Sequence, residues 1–190
     1  MKIQSIHLKH ILHFADLKVD FSYHDKPVTL ILGDQASGKT SILRFSYQAL
    51  TWFAARYKDL RSAGVVMLDH DIMLNRLQSK IDIQVAVPAE LYDLKPTAAD
   101  TAPEPYTWQL YKTLNQQGIG ISRVETLELE QLVNLYQQAT LQDPLQGLPL
   151  IAYYPAERFV NEMNILSKNN PLIFQHAHAY EISAIPYTTF

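Results

Sequence analysis

The chain has 190 residues, of which 47% are hydrophobic and 18% charged; this balance suits a globular domain, with or without a subdomain, and excludes a disordered chain. A net charge of −3 with scattered Lys and Arg gives no sequence-wide basic surface for nucleic acid, and the lack of cysteine excludes disulfides, thiolate catalysis and cysteine zinc sites. Met1-Lys2-Ile3-Gln4-Ser5-Ile6-His7 carries no signal-peptide core, and no run approaches the roughly 20 apolar residues of a membrane span, so a cytoplasmic setting is expected.

Residues 2–21 read as two strands. Ile3, Ile6 and Leu8 lead in, and Leu17, Val19 and Phe21 alternate with Lys18 and Asp20. That period of two predicts a half-buried antiparallel hairpin. Tyr23 to Pro27 turns into Val28-Thr29-Leu30-Ile31-Leu32, an apolar, β-branched run expected as a buried strand. Gly33-Asp34-Gln35-Ala36-Ser37-Gly38-Lys39-Thr40 follows and fits G-x-x-x-x-G-K-[ST], the phosphate-binding P-loop. A helix over Thr40 to Tyr57 is predicted by Ile42, Phe45, Ala49, Leu50, Phe53 and Tyr57 at helical spacing.

Strand, glycine loop and helix are what phosphate binding needs. Loop amides and the helix N-terminus offer donors and partial positive charge to phosphate oxygens. Gly33, Asp34, Gln35, Ala36, Ser37, Gly38, Lys39, Thr40 and Ser41 are the expected nucleotide-binding residues. Lys39 is expected on the β- and γ-phosphates, and the Thr40 hydroxyl on Mg²⁺, which takes few protein ligands. ATP and Mg²⁺ are the cofactors this implies.

Arg56, Lys58 and Arg61 close the helix, where cations suit the dipole, and Gly64 is a stop signal. Val65-Val66-Met67-Leu68 reads as a further strand ended by Asp69-His70-Asp71. Four apolar residues before an acid also fit a Mg²⁺-shell aspartate, so Asp69 is either that ligand or an ordinary turn residue. Ile81, Ile83, Val85 and Val87 alternate with polar residues, as do the residues of Tyr106–Leu114. Those runs predict a second antiparallel hairpin around the proline-rich loop of residues 95–105.

Ser122-Arg123-Val124-Glu125 fits a capping box, predicting a helix over about 123–141 that Asp143-Pro144 stops. Leu148 to Pro155 reads as a strand with a proline at each end. Glu157 and Arg158 follow it and could reach a γ-phosphate or form a surface ion pair. Leu172-Ile173-Phe174 starts a short element. His176 and His178 share a face if they lie on a strand, but no third ligand is evident. His7, His10 and His13 receive no catalytic role, because their region reads as strand and turn.

The N-terminal stretch resembles the RecF/SMC class of ABC-type ATPases, which includes DNA repair ATPases. The resemblance rests on Ile6 to Leu12, on Asp16 to Phe21, and on Gly33 to Thr40 followed by Ser41-Ile42-Leu43. Pro149 to Tyr154 followed by Arg158 resembles a segment of bacterial SMC-like AAA-family ATPases, some of which act in phage defence. The family's P-loop Asn is Gln35 here, the next Gly is Ala36, and its basic residue after the first strand is Leu12.

The resemblance implies an α/β fold: a P-loop NTPase core of ABC/SMC-head type with an antiparallel β subdomain. Residues 1–80 hold the hairpin, P-loop and helix, 81–115 the second hairpin, 116–155 a helix and strand, and 156–190 the start of a C-terminal part. In such ATPases two heads sandwich two ATPs, which implies a homodimer, with DNA or an effector protein as further partner. The family's S-G-G signature has no counterpart, since the chain has six glycines and no Gly-Gly pair. An N-terminal, truncated ATP-binding lobe is therefore the expectation. The alternatives are a self-contained small P-loop kinase using Asp69 and a non-catalytic interaction module.

Overall fold

The computed structural model describes residues 1–23, 28–88, 91, 104–115 and 117–155. A five-stranded sheet is built from β1 (Lys2–Ile11), β2 (Phe14–Asp20), β3 (Gln78–Ala86), β4 (Tyr106–Leu114) and β5 (Gly120–Glu125) in the order β2-β1-β3-β4-β5. Every neighbouring pair is antiparallel. Both hairpins expected from the alternating runs form, with Ile6 opposite Val19 in the first and Ile83 opposite Trp108 in the second. They are continuous with each other, because β1 pairs with β3 through Ile6–Ile83 and Leu8–Ile81.

The pleat sorts the side chains. Ile6, Leu8, Ile81, Ile83, Val85, Trp108 and Leu110 are buried, while His7, Lys9, Lys80 and Asp82 lie on the other face. Two helices cover the apolar face, α1 (Lys39–Lys58) and α2 (Leu127–Gln142). Phe45, Ala49 and Phe53 of α1 meet Leu129, Leu132, Val133 and Tyr136 of α2 and the strands in one core. Phe53 and Tyr136 pack edge to face with centroids 5.3 Å apart. Burying each such side chain contributes on the order of 1.5–3 kcal/mol. Trp108 adds an anchor: its indole N–H donates to the Ala49 carbonyl in mid-helix at 3.0 Å.

Four local expectations are corrected. Val28–Leu32 is extended but pairs with no strand among the described residues, leaving Val28, Leu30 and Leu32 exposed while Ile31 packs against the core. An apolar run becomes a strand only where a neighbour takes up its backbone groups. Val65–Leu68 is likewise unpaired as a strand. Its Val65 amide donates to Thr51 Oγ1 at 2.9 Å and its Val65 carbonyl accepts from the Trp52 indole at 3.1 Å, so α1 side chains replace a ladder. Asp69–Asp71 is one turn of 3₁₀ helix.

Ser122–Glu125 is not a helix start. These residues belong to β5, where Ser122 faces Lys112 and Val124 faces Leu110. The helix begins at Leu127 behind Thr126, whose hydroxyl donates to Glu130 at 2.8 Å. Long-range pairing with β4 outweighs the local S-x-x-E pattern. Leu148–Pro155 also forms no strand; Leu150 and Tyr154 are exposed, while Tyr153 stacks on Tyr47 of α1 with centroids 5.0 Å apart. Among the described residues, no helix is long and apolar enough to cross a membrane.

Candidate functional site

The P-loop string occupies the turn that opens α1. Residues 33–37 are exposed, with a turn at 35–36 and a bend at 37–38, and the Ser37 amide donates to the Asp34 carbonyl at 3.2 Å. Two residues take left-handed backbone, Ala36 with φ 63° and Gly38 with φ 90°. Gly38 needs to be glycine twice over. Its φ disfavours any side chain, and an added Cβ would collide with Phe14 and sit 2.7 Å from His13 Cε1 and Nε2. The Ile42 amide then donates to the Gly38 carbonyl at 3.0 Å, so the helix starts directly from the loop.

A cleft of about 280 Å³ lies at this junction, lined by His13, Ala36, Gly38, Lys39, Thr40 and Ser41. The first amides of α1 have no partner within the helix and carry its positive dipole end. Lys39 folds back over the loop. Its ammonium donates to the Gly33 carbonyl at 2.8 Å, the Asp34 carbonyl at 2.5 Å and Ser37 Oγ at 3.2 Å. The loop carbonyls thereby have a cation, and the amide side of the loop is left for an anion.

The donor set fits a nucleotide triphosphate with Mg²⁺: orphan helix amides, one ammonium, and two hydroxyls at Thr40 and Ser41. Thr40 is the residue that would touch the metal, and Lys39, Ser41 and the loop amides the ones that would hold phosphate. Of the expected binding residues, Ala36, Gly38, Lys39, Thr40 and Ser41 share the cleft. Gly33, Asp34 and Ser37 serve as the seat of the Lys39 ammonium. Gln35 is exposed on the loop.

Other candidates stand apart. Asp69 Oδ1 lies 2.9 Å from Lys112 Nζ, over Gly120 of β5, and Asp69 is not among the residues lining the cleft. Glu157, Arg158, Leu172–Phe174, His176 and His178 lie outside the described residues. Among the described residues, no group of three metal-ligating side chains converges.

His13 is the cleft residue that sequence reasoning passed over. It lies in the Leu12-His13 link between β1 and β2, with its ring 4.0 Å from that of Phe14. A tight link between two alternating runs puts it at one end of the sheet. Nothing local says that the P-loop sits at the same end.

The link is held from behind. The Leu12 amide donates to the Asp71 carbonyl and the Met73 amide to the His10 carbonyl, each at 2.8 Å. Asp71 is fully buried, and its carboxylate accepts from Arg44 Nη2 of α1 at 2.5 Å and from the Leu68 amide at 2.8 Å. His10 and Leu12 both have positive φ, 54° and 50°. For a residue as bulky as Leu12 this is strained, at about 1–2 kcal/mol.

The retron Vc95 probable ATPase of Vibrio cholerae serotype O1 biovar El Tor is 24% identical over 164 residues, covering 84% of this chain. The match spans 29% of that protein, so the chain corresponds to less than a third of its length. A solved structure from work on the structural biochemistry of ATP-driven dimerization and DNA-stimulated activation of SMC ATPases aligns at 15% identity and a TM-score of 0.41. That alignment covers 72% of this chain and 80% of the other. Residues 5–182 match the AAA domain family, a span that takes in most of β1 and all of the P-loop, α1 and α2, and the chain belongs to that family.

Proposed function

We infer that the chain is the ATP–Mg²⁺ binding lobe of an SMC/RecF-like ATPase. The observation that carries this is one cleft shared by Ala36, Gly38, Lys39, Thr40 and Ser41 at the N-terminus of α1. Family membership supports it, since an AAA domain is a nucleotide-using module. Hydrolysis is assigned to the whole ATPase, with a signature loop and a Walker B acid that residues 1–190 do not visibly carry. The exposed Val28, Leu30 and Leu32 support the same reading: an apolar run leading into the loop suits packing by a second half of the head.

On the RecF/SMC resemblance, two such heads close on two ATPs, and closure drives a DNA-handling or effector part. A role in DNA repair or phage defence in the cytoplasm fits that picture. The kinase alternative loses ground, because Asp69 is engaged by Lys112 and does not line the cleft.

Titration calorimetry with ATP–Mg²⁺ tests the reading on this chain and on Lys39→Ala. Binding by the parent chain and its loss in the variant, with turnover near zero in both, is expected. ATP–Mg²⁺ should also raise the melting temperature of the parent chain, because a ligand bound to the native state stabilises it. Brisk turnover by the isolated chain would sink the divided-head assignment, and no binding at all would sink the nucleotide reading.

A further inference from the structure

We propose that Asp71 is a positioning residue for the nucleotide cleft, holding its two walls at a fixed spacing without touching the ligand. The proposal rests on the nucleotide reading above and adds to it a determinant of affinity outside the cleft. One wall is Ala36, Gly38 and the first turn of α1, and the other is the link between β1 and β2, at His13. Neither Asp71 nor Arg44 lines the cleft. The Asp71 carboxylate accepts from Nη2 of Arg44, one turn of α1 beyond Thr40, at 2.5 Å. The Asp71 carbonyl accepts from the amide of Leu12, next to His13, at 2.8 Å. One residue therefore grips both walls, each by a different group.

The turn that carries Asp71 is fixed in its own right. The Asp71 amide donates to the Leu68 carbonyl at 3.0 Å, and its Oδ2 accepts from the Leu68 amide at 2.8 Å. Asp69, at the start of the turn, is tied to Lys112 of β4 at 2.9 Å. The Ile11–Ile72 bridge and the Met73 amide on the His10 carbonyl add two further ties to the link. The link itself is strained, with His10 and Leu12 at positive φ. Strained backbone persists only where surrounding structure over-determines it, and such sites cluster at ligand clamps.

A buried ion pair is a poor device for stability alone. The Asp71 carboxylate has no solvent exposure, and well-packed apolar residues of similar volume are often as stable as such a pair or more so. What the pair supplies is direction: a charge-assisted hydrogen bond fixes Arg44, and with it the placement of α1 against the link. His70 Nε2, 3.9 Å from Asp71 Oδ1, is beyond hydrogen-bond reach, so Arg44 carries this contact.

The experiment measures calorimetric binding of ATP–Mg²⁺ and of inorganic triphosphate to the full chain. The variants are Asp71→Asn, Arg44→Gln, Arg44→Lys, the double change Asp71→Asn with Arg44→Gln, and Lys39→Ala, each assayed below its melting transition. Asp71→Asn and Arg44→Gln should each weaken both ligands about ten-fold, a coupling usual for groups in one network. Arg44→Lys keeps the charge and should stay close to the parent. The double variant strands no charge, so it should regain stability while staying weak for both ligands, a split that a merely structural role would not give. In the parent chain, inorganic triphosphate should slow hydrogen exchange at the Leu12 and Met73 amides, a measurement that needs no variant to fold. Unchanged affinity in folded Asp71→Asn and Arg44→Gln, with binding lost in Lys39→Ala, refutes the positioning role and leaves the P-loop reading standing. So does recovery of stability and affinity together in the double variant, or triphosphate that binds the parent without slowing exchange at Leu12 and Met73. If the parent binds neither ligand, the nucleotide reading falls and this role with it.

Discussion

Arg44 Nη2 stands 2.5 Å from Oδ1 of Asp71, a carboxylate with no solvent exposure at all. Arg44 itself is partly exposed, so the pair is one-sided: the guanidinium can be rehydrated and the carboxylate cannot. Removing the exposed partner is therefore the more damaging change. Arg44→Ala is predicted to lose up to about 3–5 kcal/mol in denaturant unfolding, because it strands a buried charge. A loss below about 1 kcal/mol, typical of exposed pairs, would show that Asp71 finds other company.

Gly38 is the second test. Gly38→Ala forces a methyl group into left-handed backbone and against both Phe14 and His13. The backbone alone costs about 1–2 kcal/mol. The cheapest relief is to swing the 12–14 link away, which opens the cleft. The variant should melt lower and lose ATP binding. Unchanged binding would mean that the loop does not use this conformation to hold phosphate.

Asp69 separates two readings of the site. With Lys112 Nζ at 2.9 Å, its carboxylate is an anchor between the 3₁₀ turn and β4. Asp69→Asn should leave ATP–Mg²⁺ affinity within about two-fold of the parent but reduce stability by more than the roughly 1 kcal/mol of an exposed pair, because the buried Lys112 ammonium loses its charged partner. A collapse of Mg²⁺-dependent binding would return Asp69 to the metal shell.

On the outer face of the sheet, His7 Nε2 lies 2.5 Å from Asp16 Oδ1. That hydrogen bond holds the Asp16 carboxyl below its ordinary 3.8, against an opposing desolvation and with the charges of His7, Lys9 and His10 adding to it. A carboxyl depressed in the folded state stabilises the fold above 3.8, and that contribution disappears as pH falls through the lower folded value. Urea unfolding should find the parent slightly more stable than Asp16→Asn at about pH 5 and equal to it near about pH 2. A difference that grows in acid would contradict the pairing.

Much of this fold could be read in advance where a segment's own pattern decides its state. Ile81, Ile83 and Val85 alternate strictly, and so do Tyr106, Trp108 and Leu110; each run forms the strand its period demands. The P-loop string and the spacing of Ile42, Phe45 and Ala49 likewise specify a loop that enters a helix. Reading failed where a neighbour decides. Ser122 and Glu125 carry a helix-start pattern, yet Gly120–Glu125 lies beside β4 and is drawn into the sheet. Val28–Leu32 has strand composition without a strand to pair with among the described residues. His13 has no local signature whatever; it joins the cleft because Asp71, far along the chain, ties down the amide before it.

The Trp108 indole, bound to the Ala49 carbonyl, has a mechanical consequence. That carbonyl belongs to the helix ladder of α1 and is gripped in addition from the middle of the sheet. Helix and sheet are thus fastened at a point ten residues beyond Lys39, and α1 cannot slide along its axis without tearing Trp108 from its slot. A shift of the helix along its axis would have to break this hydrogen bond, so the helix that opens at the P-loop and the central strand β4 are coupled at Ala49.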